Sequence, residues 1–354
     1  MSNAITDAVV PVANPSDALE MFVRHLKEDH GIALDDREDG GKFLAMDGFR
    51  VDFQPRSNGL YVRVEAQNAG SLIFFKEEVA EHVAEIDPTA AENIRWSGEV
   101  AEAGSLPPNF KVLKVITAGE VFPGMLRVTL THEDVASMTR DGIHLRLMMP
   151  FDRTRKPVWP RMAANGTPVW PQGDDKLHAR FITLRHVRPE DGQVDIDIVR
   201  HDGGLISDWA LQATAGQTVG VMGPAGPVKL PTMQGLFLAA DGTGLPAVAR
   251  YLELVTEDAS GDVVVALPDG YGPFEYLPKS SLAVHTLPPE RFAEEIMGRA
   301  EDLTEPGTTK YAFFAGEFQN AQDLRGVFKG KLGLDKHTQI STAYWRRGVC
   351  GFGS

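Results

Sequence analysis

The sequence predicts a multidomain chain: a small α+β N-terminal unit, an antiparallel β-barrel, and an α/β domain built on a parallel sheet. Three observations carry this prediction. Residues 1–105 hold 9 Lys/Arg against 20 Asp/Glu, whereas the remainder is almost balanced within a total charge of −14. Between 110 and 230 the chain breaks into short β-type runs divided by turn residues. Beyond 230 apolar strands alternate with helical stretches, the pattern of a parallel sheet.

In the first unit, residues 16–29 read as a helix with Ser16 at its N-cap and Leu19, Phe22, Val23 and Leu26 at helical spacing. Alternating runs at 42–46, 49–53 and 60–64 follow, separated by Asp-Gly and Asn-Gly turn pairs. A second helix is expected over 71–86, stopped by Pro88. Residues 101–108, rich in Ala, Gly, Ser and Pro, make a linker, so the first domain is drawn at 1–103.

Runs at 110–117, 124–131, 143–149, 181–187, 193–199 and 218–222 predict a barrel domain over 108–230. The irregular loop 150–175 interrupts it, and a loop that long is usually functional or mobile. The third domain, 231–354, starts with a strand at 235–240, the turn Asp241-Gly242-Thr243-Gly244 and a helix over 245–256. Strands at 262–267, 282–286 and 311–315 alternate with helices at 289–299 and 321–333.

Composition removes several classes of function. A net charge of −14 gives no basic face for nucleic acid. No apolar run approaches the roughly 20 residues that span a bilayer, and the first residues lack a signal peptide's basic and apolar regions. One cysteine, Cys350, precludes an internal disulfide framework. A cytoplasmic protein is expected. No tight Cys/His set is evident for a bound metal, since His25 and His30 miss the i,i+4 spacing of a helical pair.

Two segments carry chemistry. Arg180-Phe181-Ile182-Thr183-Leu184-Arg185 places a cation and a hydroxyl on a β-type run. About twenty residues on, His201 leads through Gly203 and Gly204 to Ile206, Ser207 and Trp209 at a helix start, where free N–H groups suit a diphosphate. Together they suit a nucleotide diphosphate and its flavin ring. The turn Asp241-Gly242-Thr243-Gly244 is a second anion cradle, at the carboxyl end of a parallel strand. On residues alone each segment also reads as an ordinary turn or capped helix, and His201 as a structural histidine.

In order and spacing these motifs resemble the siderophore-interacting protein family of FAD-dependent ferric-chelate reductases, over residues 108–354. The resemblance rests on Arg180-x-x-Thr183-x-Arg185, on Asp197-x-Val199-x-His201-x-x-Gly204-x-x-Ser207-x-Trp209-Ala210, and on Gly223-Pro224. It continues in Asp241-Gly242-Thr243-Gly244-Leu245-Pro246-Ala247, Ala315-Gly316-Glu317 and Tyr344-Trp345-Arg346-Arg347-Gly348. It implies a ferredoxin-reductase-like fold with FAD and NADH or NADPH as cofactors and a ferric siderophore or other ferric chelate as substrate. Residues 1–100 look similar to a small domain of unassigned role that accompanies some of these reductases.

Carried over residue by residue, the resemblance implies that Arg180 pairs with the FAD diphosphate and that Thr183 faces the flavin N5 edge as the catalytic hydroxyl. Ser207, with Gly203 and Gly204, would hold the other side of the diphosphate. Phe181, Ile182, Arg185, His201, Ile206, Trp209, the 241–244 turn, Gly316, Glu317 and Trp345 complete the cofactor set. Ile182 stands where the family has tyrosine, and Gly242 where it has glutamate. Arg153, Lys156, Arg346 and Arg347 are candidates for attracting an anionic chelate. Pro268-Asp269-Gly270 offers no cation for a 2′-phosphate, which leans towards NADH. Two other functions fit the same residues: a flavin reductase or diaphorase with a protein or quinone acceptor, and a siderophore-binding module without turnover.

Overall fold

The computed structural model describes residues 4–29, 33–46, 48–98, 101–139, 142–201, 203–226 and 230–349; His30 and Cys350 lie outside them. Contacts divide the chain into two compact units. One comprises 1–111, 149–177 and 222–226, the other 112–148, 178–221 and 227–354.

The N-terminal part of the first unit holds β1 (Ala4–Val10), α1 (Pro15–Asp29), β2 (Asp35–Asp36), β3 (Lys42–Met46), β4 (Phe49–Arg56), β5 (Gly59–Ala66), α2 (Ala69–Ile86), α3 (Pro88–Glu92) and β6 (Arg95–Trp96). The sheet order is β2-β3-β4-β5-β1-β6. Leu19, Phe22 and Leu26 of α1 and Val79 and Val83 of α2 pack with Val51, Phe53, Val62 and Val64 of the sheet. Each such large side chain contributes about 1.5–3 kcal/mol on burial, which is what holds two helices to one sheet face. β1 is absent from the sequence expectation because its inward positions, Thr6, Ala8 and Val10, give weak hydrophobic contrast. Helix α1 starts one residue before the expected Ser16 cap: Pro15 opens it, and Asn14 donates to Asp17 Oδ2 at 2.6 Å. Asn68 caps α2 by accepting from Ser71 N at 2.8 Å.

The barrel follows with β7 (Phe110–Phe122), β8 (Met125–Thr131), β9 (His144–Pro150), β10 (Arg161–Met162), β11 (Pro168–Val169), β12 (Leu177–Arg188), β13 (Gln193–Val199), α4 (Leu205–Gln212) and β14 (Thr218–Ala225). The closed order is β12-β13-β8-β7-β14-β9, the six strands that the sequence anticipates. The long loop is built: β10 pairs with β11, Met162 N donates to Ser105 O at 2.9 Å, and Trp170 Nε1 donates to Glu77 Oε1 at 2.5 Å.

The remaining elements are β15 (Leu236–Ala240), α5 (Leu245–Leu252), β16 (Gly261–Ala266), β17 (Ala283–Leu287), α6 (Pro289–Leu303), β18 (Tyr311–Glu317), α7 (Phe318–Gly330) and β19 (Gln339–Trp345). Their sheet is parallel throughout, ordered β17-β16-β15-β18-β19. Along β15, Leu236, Leu238 and Ala240 enter one core with α5, while Phe237 and Ala239 enter another with α6 and α7. Both faces are therefore covered, as a parallel sheet requires. The order reverses between β15 and β18, and ligands bind outside the strand carboxyl ends at such a switch point. β19 is a strand the sequence does not announce, because Gln339, Ser341 and Thr342 dilute its apolar pattern.

Candidate functional site

Strand β12 supplies the first functional side chains. Leu184 is fully buried and pairs with Ile196 of β13, and the register shifts by a bulge between Leu184 and His186. With these strands antiparallel, the first half of β12 and the end of β13 that leads into His201 lie at the same end of the barrel.

Arg180 is half-buried, and its guanidinium donates to its neighbour's Ala179 carbonyl at 2.5 Å. No carboxylate among the described residues pairs with it, and burial lowers its pKa. A desolvated guanidinium in that state is most readily satisfied by an anion. Thr183 is 4% exposed and its Oγ1 has no hydrogen-bond partner. The Tyr344 hydroxyl approaches Thr183 without completing hydrogen-bond geometry, and it meets His144 Nε2 at 3.3 Å. Phe181 is exposed, with the Arg146 guanidinium 5.0 Å from its ring centre, and Ile182 is half-buried beside it.

The loop into α4 is the second part. The Gly204 N-cap makes no side-chain cap, so the first N–H groups of α4 have neither helical nor side-chain partners. A Cβ on Gly204 would meet the His201 ring at 2.0 Å, so the imidazole lies directly over this glycine. Ser207 is fully buried and accepts from His201 N at 3.0 Å. Its hydroxyl oxygen thus braces the loop that presents the N–H groups. Ile206 and Trp209 are buried core residues that anchor α4.

Orphaned hydroxyl, uncompensated guanidinium and uncapped helix start are complementary to a flavin with a diphosphate, and the residues fit the group. Arg185 differs from the sequence expectation. It is 4% exposed and donates to Glu253 Oε1 at 2.6 Å and to the Tyr276 carbonyl at 3.3 Å. Its guanidinium fastens the barrel to the end of α5.

The switch-point turn is rigid. Asp241 Oδ1 accepts from Thr243 N at 2.8 Å and from its Oγ1 at 2.6 Å, and Oδ2 accepts from Trp345 Nε1 at 2.7 Å. Burial raises the Asp241 pKa, against these hydrogen bonds. Gly242 has room for a side chain, since its nearest neighbour to an added Cβ is Val199 Cγ2 at 3.4 Å. Gly244 has none: a Cβ there would stand 2.3 Å from the Ala315 carbonyl oxygen. Gly244→Ala should therefore destabilise the protein by about 2–3 kcal/mol, measured by denaturant unfolding; an unchanged midpoint would contradict the close approach. Gly316 backs onto Asp241, and Glu317 caps α7 by accepting from Gln319 N at 2.5 Å while its other oxygen accepts from Arg347 N at 3.1 Å. Trp345 is partly exposed.

Arg346 and Arg347 are exposed just after β19, with the Arg346 guanidinium 4.6 Å from the Phe318 ring centre. Arg153 and Lys156 are exposed in the other compact unit. His144 and Tyr344 meet across 200 positions, a contact that no local spacing announces.

Burial holds the pKa of both His144 and His178 at about 4, with Arg250 and Arg180 respectively adding repulsion. Both folded values lie below the ordinary 6.5, so the unfolded chain binds more protons between them. The stability these neutral rings provide is complete above about 6.5 and is lost as pH falls towards 4. The unfolding midpoint of the cofactor-free protein should fall across that window; a flat profile would contradict it.

Residues 114–228 match the siderophore-interacting FAD-binding domain, and residues 233–348 the siderophore-interacting protein domain. The chain is 26% identical over 246 residues to the ferric vibriobactin reductase ViuB of Vibrio cholerae, covering 67% of this chain and 90% of that one. It is 31% identical over 165 residues to an NADPH-dependent ferric-chelate reductase of Escherichia coli, covering 45% and 62%. Among solved structures, the siderophore-interacting protein SipS from Aeromonas hydrophila is 25% identical with a TM-score of 0.57, covering 68% of this chain and 93% of that one. A siderophore utilization protein from T. fusca is 26% identical with a TM-score of 0.57, covering 71% and 98%.

Proposed function

This chain belongs, through residues 114–348, to the siderophore-interacting protein family, and on that premise we propose that it is an FAD-dependent NAD(P)H:ferric-siderophore reductase releasing Fe²⁺ in the cytoplasm. The observation that carries this reading is the Thr183 hydroxyl, buried without a hydrogen-bond partner, three residues along β12 from an Arg180 guanidinium that no described carboxylate pairs with. Their chemistry complements a diphosphate and a flavin N5 edge, and both lie within the stretch that matches the siderophore-interacting FAD-binding domain. A cytoplasmic site agrees with a single cysteine in 354 residues, and no helix among the described residues is long and apolar enough to cross a membrane.

When bound, FAD supplies the exchange between a two-electron hydride donor and a one-electron ferric acceptor. Arg180 and the first N–H groups of α4 would neutralise its diphosphate. Thr183, buried at 4% exposure, would orient the ring edge by hydrogen bonding. Tyr344, which meets His144 Nε2, stands beside that hydroxyl without taking its hydrogen bond. Residues 108–230 thus hold FAD and residues 231–354 the nicotinamide nucleotide, with its pyrophosphate at the 241–244 turn. Choice between NADH and NADPH rests on 268–270, where no cation is available for a 2′-phosphate. Arg346 and Arg347 draw in an anionic chelate, and iron enters and leaves as substrate.

The test is acceptor preference. FAD-loaded protein under NADPH or NADH should release Fe²⁺ from ferric siderophores, trapped by a ferrous chelator, faster than it reduces generic dyes or quinones. Faster dye or quinone reduction would favour a diaphorase. Flavin that binds but is never reduced would leave a binding module.

A further inference from the structure

A second site lies in the N-terminal unit and does not depend on the reductase reading. Helices α1 and α2 pack side by side on the same sheet face. His25 of α1 faces α2 where His82 and Glu85 stand one turn apart, the spacing that puts two helical residues on one face. His25 Nε2 is 3.2 Å from His82 Nδ1 and 3.1 Å from Glu85 Oε2. All three donor atoms lie within 4.8 Å of one another.

Two ring nitrogens and a carboxylate oxygen thus converge, each an atom of the kind that ligates a cation. The spacing also fits: zinc bound to nitrogen at about 2.0–2.1 Å in a tetrahedron sets neighbouring ligand atoms about 3.3 Å apart.

The surroundings are those of a built site. The His25 side chain is 11% exposed, whereas that of Glu85 is 56% exposed. The His82 ring stands edge-on to Phe22 at 6.3 Å, and the two imidazole planes are inclined at 64°. Phe22, Leu26, Val79 and Val83 form the apolar backing. Three protein ligands with a solvent-facing side leave one coordination position for water.

From this geometry we propose that His25, His82 and Glu85 bind one divalent first-row transition-metal ion, of which Zn²⁺ is the type. Two imidazoles and a carboxylate suit that class of ion. Sequence spacing hides the set because its members come from two helices 57 positions apart at the histidine pair.

The experiment uses the full chain without a polyhistidine tag, stripped with chelator and dialysed against Zn²⁺, with bound metal measured per chain. Wild type should take up one Zn²⁺ that His82→Ala lacks. Glu85→Gln, altering a largely exposed side chain, should weaken binding at least tenfold while leaving circular dichroism and metal-free unfolding unchanged. Zn²⁺ should also raise the unfolding midpoint of wild type more than that of Glu85→Gln. Absence of stoichiometric uptake by wild type, or undiminished affinity in Glu85→Gln, would overturn the site. FAD content is indifferent to either result, so the metal site and the reductase reading fail separately.

Discussion

Arg180→Ala should weaken FAD binding by about 10- to 100-fold, the value of a charge-assisted hydrogen bond to a phosphate at roughly 1.5–3 kcal/mol. The cofactor-free protein should not lose stability, because the substitution removes a half-buried cation whose pKa burial already lowers and which no described carboxylate pairs with. Arg180→Lys should fall between the two, keeping the charge but not the planar fork. FAD titration by fluorescence quenching, with unfolding of the cofactor-free variants, measures both effects. Wild-type FAD affinity in the alanine variant would refute the assigned contact.

Thr183→Val should move stability and activity in opposite directions. Its Oγ1 is buried without a partner in the cofactor-free protein, so an isosteric methyl relieves an unsatisfied polar group. The gain is about 1–2 kcal/mol, within the usual cost of such a group. With FAD bound the hydroxyl has work to do, and its loss should slow flavin reduction by NAD(P)H about 10- to 100-fold, or roughly 1.4–2.7 kcal/mol in the barrier. Thr183→Ser should retain most of the rate. A valine variant that is both less stable without cofactor and fully active with it would show that Thr183 is only a packing residue.

Much of the architecture is legible in the sequence because local patterns specify it. The six barrel runs and the alternation after 230 depend on residue periodicity within each segment. The longer strands that escape are β1, with Thr6 and Ala8 inward, and β19, with Ser341 and Thr342 in its middle; neither shows a clean apolar alternation. The Ser16 cap is misplaced because Pro15 itself begins the helix.

The candidate site is legible as a set of segments, less so as an allocation of side chains. Arg180 and Thr183 stand out because a cation and a hydroxyl on a β-run have few local uses. Arg185 lies two residues beyond Thr183 and looks equivalent, yet its partners, Glu253 and Tyr276, are 68 and 91 positions away. Ser207 looks like a phosphate ligand, and only the fold shows that its oxygen also accepts from His201 N. The Trp345–Asp241 hydrogen bond joins two motifs 104 positions apart, which no spacing rule connects. Partnership at that range is set by the strand order β15-β18-β19, a property of the fold.

The most direct measurement is an anaerobic two-step mixing experiment on the FAD-loaded full chain. NADPH or NADH is first mixed in and the loss of oxidised-flavin absorbance followed; a ferric siderophore is then added. The account predicts bleaching in the first step, then recovery of absorbance as Fe²⁺ appears, faster than with a generic dye. Flavin that stays oxidised, or reduced flavin that ferric chelates reoxidise no faster than dyes do, would contradict it.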